Sequence, residues 1–340
     1  MAVWTVKAGR HGEREERCLE HGIVGGGWEQ IPDLSAIENR EALAQLCEEA
    51  EPNWSARTRS NYVAQLWSLR ERMQIGELVV LPLKTTGTIA VGRVLGPYSY
   101  REDLGEELRH VRDVTWLRTD IPRDSFDQDL LFSFGAFLTV AQVRRDGTED
   151  RVLAAVAGTP SLVGSESGQP VDSIDIEAVP DPAAIAREQI RQRISQSIAG
   201  HDLADLVGAI FAARGFSVTA SPPGADGGVD LLIGSGATGR ESPRIVGQVK
   251  TGQAGVDEYR AIFGLKESLN ADQGLLVAWG GFKGHVRREA RPQHFSMVLW
   301  DADDLLDALF SVYDRLREDL RSRLPLKRAW TLVLDSETAS

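Results

Sequence analysis

Three side chains in one short stretch could do phosphate chemistry: Asp230, Gln248 and Lys250. Residues 226–250 read DGGVDLLIGSGATGRESPRIVGQVK. An apolar run, Val229 to Ile233, carries Asp230; a turn-rich stretch follows from Gly234 to Pro243. A second run, Arg244 to Val249, ends on Gln248 and Lys250. Two short apolar runs split by Gly, Ser and Pro predict an antiparallel strand pair. Gln248 and Lys250 are two apart on a strand, so they share a face, and Asp230 on the neighbouring strand can join them. A carboxylate, an amide oxygen and an ammonium meeting at one spot can hold a hard divalent cation and position a water beside a phosphate.

Such a trio needs a frame, and the flanking sequence supplies one. Leu203–Gly215, LADLVGAIFAARG, has a helical period and precedes a Gly-aromatic strand, Gly215-Phe216-Ser217-Val218. Val256–Leu265 follows the Lys250 strand as a helix. Gly274–Phe282, GLLVAWGGF, reads as a strand and a glycine turn, and Met297–Leu309, MVLWDADDLLDAL, as a strand and a helix. Singly these pieces are ordinary: Asp-Gly-Gly is a common turn, and a strand ending on Lys is a common exposed edge. In this order, over about residues 200–310, GxDGGVD and QVK included, they resemble the Mrr-type catalytic domain of restriction endonucleases. That family belongs to the wider nuclease superfamily with the D…(D/E)xK signature, PD-(D/E)xK, and its members carry Gln for the second acid.

The resemblance implies an α/β restriction-endonuclease-like core, a mixed central sheet flanked by helices. It implies a Mg²⁺-dependent deoxyribonuclease, with Mn²⁺ as an alternative ion, acting on double-stranded DNA and leaving 5′-phosphates. Asp230 matches the metal-binding acid, Gln248 the second ligand and Lys250 the catalytic lysine. Asp226, four residues before Asp230, either adds a carboxylate behind the site or holds the Gly227-Gly228 turn. Many Mrr-type domains place a Glu on the first helix as a further metal ligand. Here the aligned position is Ala204, and Asp205 or Asp202 is the substitute; residues adjacent on a helix point about 100° apart, so only one of them can face the site. Both also suit a helix cap. Because two strands need two sites, the resemblance implies a homodimer.

At 340 residues the chain is long enough for two domains. With 42% hydrophobic and 26% charged residues it is ordinary for a globular protein. No apolar run approaches a bilayer span, and the N-terminus is not basic-then-apolar, so a cytoplasmic location is expected. Cys18 and Cys47 are far apart with no CxxC spacing, which points away from a disulfide framework or a zinc site. A net charge of −12 and a pI near 5.1 argue against coating DNA by bulk charge. A local basic patch would still suffice for cutting it.

The first half reads differently. VWTVKAGRHG begins as a strand, HGEREERCLEHG as a short helix, and GIVGGGWEQI as an apolar start and a glycine turn before Trp28. Helices are predicted over 35–53, with Ser35 as N-cap and Glu38 completing a capping box, and over 57–73. Strands separated by Gly and Thr turns fill 76–100, LRHVRDVTWL (108–117) alternates, and 121–140 looks like a closing strand, turn and helix. This order resembles the PUA-like barrels of the EVE type, which stand before nuclease or motor domains in modification-dependent restriction. The resemblance implies a pocket for a flipped, modified base, with Trp28 as its wall and Tyr98, Tyr100 and Trp67 as lesser candidates. Large aromatics mostly fill cores, and Trp4 and Trp116 read that way. Lys84, Arg93, Arg101 and Arg109 are phosphate candidates or a solvated face.

The expected division is therefore an α+β barrel at 1–142, a Gly/Ser/Pro-rich linker at 143–182, the endonuclease domain at 183–325 and a last strand and tail at 326–340, where Trp330 alternates with Leu332 and Leu334. Before the core, 182–199 reads as a helix carrying Arg187, Arg191 and Arg193, an exposed linker helix by preference. After the GGF turn, Lys283, Arg287, Arg288 and Arg291 are spaced as a basic helical stripe, suited to a phosphate backbone and equally to a solvated face. Three functions follow: a modification-dependent DNA endonuclease of host defence, a modified-DNA reader with lost activity, and a structure-specific repair nuclease whose barrel binds protein. The first is the expectation.

Overall fold

The computed structural model describes residues 1–9, 11–135, 138–159, 182–198, 200–221, 228–236, 238–283 and 285–329. The predicted last strand around Trp330, Asp226 and most of the linker lie outside these residues. Of the rest, Met1–Thr85 and Ile89–Ala186 fall in one compact unit, and Thr86–Thr88 and Arg187–Ala329 in the other.

The first unit is built on β1 (Val3–Val6), α1 (Glu15–His21), β2 (Ile23–Gly26), α2 (Arg40–Ala50), α3 (Ala56–Trp67), β3 (Leu78–Pro82), β4 (Thr88–Tyr100), β5 (His110–Pro122), α4 (Gln128–Phe134), β6 (Val140–Val143) and α5 (Thr148–Ala157). Six strands make one mixed sheet in the order β2-β5-β4-β3-β1-β6. Among the described residues β2 and β6 do not pair, so the sheet is open where a closed barrel was expected. The helix expected over 35–53 begins only at Arg40. The Asp33 carboxylate takes both the backbone N–H (2.9 Å) and the hydroxyl (2.7 Å) of Ser35, so Ser35 serves a local turn. Asn39 caps instead, accepting from the Ala42 N–H at 2.8 Å. The second helix starts at the Ser55 cap and changes after Trp67 to a π-turn over Ser68–Arg72. Residues 148–157, assigned in sequence to the linker, form α5. Its Val152 and Ala155 join the core of Val3, Leu78, Val80 and Phe134, an apolar face that a linker would leave wet.

The second unit follows the order read from the sequence: α6 (Pro182–Ser197), α7 (His201–Ala213), β7 (Ser217–Ala220), β8 (Leu231–Ser235), β9 (Glu241–Lys250), α8 (Val256–Ser268), β10 (Gln273–Ala278), α9 (Val286–Ala290), β11 (Met297–Trp300), α10 (Ala302–Val312) and α11 (Glu318–Arg323). Five strands lie in the order β11-β10-β9-β8-β7. The β7–β8 and β8–β9 pairs are antiparallel, while β9–β10 and β10–β11 are parallel. Strand alternation sends side chains to two cores. Leu231, Ile233, Ile245, Leu275 and Val277 pack with Leu206 and Ile210 of α7 and Leu305 and Leu309 of α10. Val246, Leu276 and Ala278 pack with Tyr259 and Ile262 of α8. A mixed sheet with helices on both faces is the α/β core expected. No described helix is long and apolar enough to cross a membrane.

Candidate active site

The β8–β9 register sets Leu231 opposite Gly247. One residue earlier, the Asp230 N–H donates to the Gly247 carbonyl (2.9 Å), and its carboxylate accepts from the Val249 N–H (2.7 Å). That carboxylate therefore lies against the strand at Gln248. Gln248 alternates with Val246 and shares the α8 side of the sheet with Lys250. The structure thus brings Asp230, Gln248 and Lys250 to the same end of one strand pair. Lys250 pairs in register with Ala278 at the end of β10, so the site lies at the carboxyl ends of the parallel strands.

Gln248 carries the most informative atom. Its Oε1 is buried and has no hydrogen-bond partner among the described residues. A buried acceptor without a donor costs about 1–3 kcal/mol, and such groups persist where something else uses them. Gly228, with φ at +94°, passes so close that a β-carbon there would stand 3.0 Å from Gln248 Nε2. A left-handed glycine is what that approach requires. A buried amide oxygen at the strand end where the Asp230 carboxylate is held is the kind of donor a hard cation takes. Among the described residues no group of three or more His, Cys, Asp or Glu side chains converges. Two protein oxygens suit Mg²⁺, which keeps several waters and takes phosphate oxygens as further ligands.

Sequence reading missed Glu258. It is the third residue of α8, and its Oε2 accepts from the Gly255 N–H at 2.8 Å, a capping box. Its Oε1 stands 3.5 Å from Lys250 Nζ. The Gly255 N–H first, and then Lys250, hold the Glu258 carboxyl below the usual carboxylate range. The G-x-x-E spacing announced the cap; the reach to Lys250 was not readable. Two joints fix the start of α8 against the sheet. Gly280 N–H donates to Gly252 O (3.2 Å), and Ala254 forms a parallel bridge with Phe282. A β-carbon at Gly280 would meet the Gly252 carbonyl carbon at 2.7 Å, which accounts for the first glycine of the GGF turn. The stem of Lys283, exposed, passes close to Gly255, beside Glu258.

The first helix contributes no acid here. Asp202 pairs with Arg323 (2.6 Å) and Asp205 with Arg317 (2.7 Å), both toward α11 and its entry, and Ala204 is buried. The predicted basic stripe is also different. The helix after the GGF turn, α9, spans only five residues and excludes Lys283. Arg288 is exposed and donates to His285 Nδ1 at 2.8 Å. Arg287 turns inward to Asp301 (2.9 Å) and Asp304 (3.2 Å). Burial pushes the Asp301 carboxyl up to about 6, Asp304 adds to this, and Arg287 opposes it. Arg287 is thus a counter-charge for an acid that is only 1% exposed. Arg287→Ala is expected to destabilise the second unit by about 2 kcal/mol, leaving a buried acid unpaired, with DNA affinity unchanged. Denaturant melts beside a DNA titration check this.

In the first unit Trp28 and Tyr98 meet around His110, which is wholly buried. His110 Nε2 lies 3.1 Å from the Ile31 carbonyl, which can only accept, so that nitrogen carries the proton. Nδ1 then accepts from the Tyr98 hydroxyl (2.8 Å), which itself accepts from the Leu34 N–H (3.2 Å). Burial lowers the His110 pKa to about 4. The Tyr98 hydroxyl is therefore spent holding the 31–34 loop. Trp28 is half-buried, edge-on to His110, with φ at +45°, rare for a bulky side chain. Lys84 is exposed; its backbone N–H donates to Glu15 (2.6 Å).

A family model described as a domain of unknown function matches residues 4–134, and one described as restriction endonuclease matches 195–309. No curated protein matches the chain. Among solved structures, the MspJI restriction endonuclease in complex with a 27-mer oligonucleotide is 16% identical. The alignment covers 94% of this chain and 77% of that one, with a TM-score of 0.32. The DNA modification-dependent restriction endonuclease AspBHI is also 16% identical, with 89% and 79% covered and a TM-score of 0.32. The restriction endonuclease match spans the stretch that carries Asp230, Gln248 and Lys250, in line with the Mrr-type resemblance read from the sequence.

Proposed function

We propose that the chain is a Mg²⁺-dependent DNA endonuclease of restriction type, acting in the cytoplasm as a homodimer on double-stranded DNA, and directed to modified bases by its first unit. The observation that carries the nuclease site is the buried Gln248 Oε1, which has no hydrogen-bond partner among the described residues, on the strand face of Lys250 and one residue before the backbone N–H that holds the Asp230 carboxylate. Asp230 and Gln248 would hold the cation. When bound, Mg²⁺ lowers the pKa of a coordinated water and offsets charge on the reacting phosphate. Lys250 Nζ would orient the attacking water and meet the phosphate's developing charge. Lys283 and Arg288, both exposed, suit the DNA backbone on either side. For the first unit, support comes from the Trp28 backbone, since strain of this kind is kept where a ring must be presented. Trp28 is then the stacking surface and Tyr98 a brace behind it.

Gln248→Leu separates a binding site from a packing accident. Removing the unsatisfied amide is expected to raise stability without metal by about 1 kcal/mol. Thermal melting with and without Mg²⁺ should show ion-dependent stabilisation in the wild type and none in the variant. Equal shifts in both would refute the assignment of Gln248 as a ligand. A second reading, an inactive modified-DNA reader, draws on the ion-paired Asp202 and Asp205 and on Ala204. Mg²⁺-dependent cleavage of plasmid from methylating and non-methylating hosts decides between them.

A further inference from the structure

We infer that Glu258 is a positioning residue for Lys250, holding its ammonium in place for cleavage; this rests on the nuclease reading above. Lys250 ends β9 on a flexible four-carbon stem with three rotatable donors, and such a chain has no preferred direction of its own. Its ammonium is 3.5 Å from Glu258 Oε1, the carboxylate oxygen that meets it. Both side chains are about one-third exposed, so the pair contributes little to stability. What it supplies is direction.

Glu258 can supply direction because it is itself held twice. Its other oxygen is tied to the Gly255 N–H, and the segment before α8 is locked to the turn after β10 by the Gly252–Gly280 and Ala254–Phe282 joints. The lysine's aim is therefore set by α8 and β10, and β9 contributes only its root. With Ala204 in the first helix and Asp202 and Asp205 engaged elsewhere, Glu258 also supplies a second carboxylate at this end of the sheet.

The test uses the full chain, with supercoiled plasmid from methylating and non-methylating hosts as probe. It compares wild type, Glu258→Gln, Glu258→Ala and Lys250→Ala for kcat, KM, thermal melting and DNA binding in EDTA. The amide oxygen that E258Q introduces can still accept from the Gly255 N–H. E258Q is therefore expected to melt with the wild type and keep its KM and DNA affinity, while kcat falls about 10- to 100-fold, the effect of a misplaced group. Glu258→Ala should lose the same kcat and melt lower as well. A wild-type kcat in E258Q, or a loss that tracks melting alone, overturns the inference. If the wild type cuts, Lys250→Ala does not and E258Q is normal, only the role of Glu258 falls. If the wild type cuts no more than Lys250→Ala, the nuclease reading falls and takes this inference with it.

Discussion

Lys250→Ala is expected to abolish DNA cleavage, by about a thousandfold or more, while leaving the fold and DNA binding intact. The expectation of an intact fold follows from the contacts of the side chain. Lys250 is about one-third exposed and its ammonium meets Glu258 at 3.5 Å, so truncation opens no cavity and strands no buried charge. The expectation of lost chemistry follows from its place, on the strand face of Gln248 with the Asp230 carboxylate beside it. Plasmid nicking in Mg²⁺, together with melting and a DNA titration, measures all three quantities. A variant that cuts at the wild-type rate would remove the proposed centre.

Acid should loosen the first unit through His110. Its folded pKa lies at about 4, below the 6.5 of an ordinary imidazole, because burial penalises the charged ring. As pH falls, the unfolded chain takes up this proton first. The histidine's contribution is therefore whole above about pH 6.5 and is lost progressively toward pH 4, by about 2–3 kcal/mol. Denaturant midpoints between pH 7.5 and 4.5, in wild type and in His110→Gln, isolate the effect. The variant should show a flatter dependence across that window. An unchanged slope would mean the ring does not titrate as placed. The Tyr98 hydroxyl should register the same event, since a protonated Nδ1 can no longer accept from it.

These two centres differ in how far they could be read from the chain. The strand pair at 231–235 and 241–250 was legible because alternation, a Gly/Ser/Pro turn and the QVK ending are all local signals. The register that brings Asp230 to Gln248 was left open by the sequence, and the β8–β9 pairing, shifted between Ile233 and Ser235, sets it. Glu258 was illegible, because its reach to Lys250 depends on how α8 is laid over the end of β9. His110 looked like one polar residue in an alternating strand; its partners at 31, 34 and 98 meet it only through tertiary folding. Arg287 misled for the opposite reason. Its spacing from Lys283 implied a shared helix face, but α9 is one short turn, and the buried Asp301 claims the guanidinium. The barrel failed at its closure, since hairpin signals predict neighbouring strands and say nothing about whether the first and last meet.

Parallel pairing of β9 with β10 also dictates when the proposed centre can first exist. Antiparallel partners can zip from a tight turn, but parallel ones must wait for the whole crossover to be made. The Gly252–Gly280 and Ala254–Phe282 joints cannot close until the turn after β10 has left the ribosome. Until then, Lys250 hangs from the end of an unfinished strand. The full setting of the proposed centre is thus completed only after the crossover from β9 through α8 to β10 has been translated.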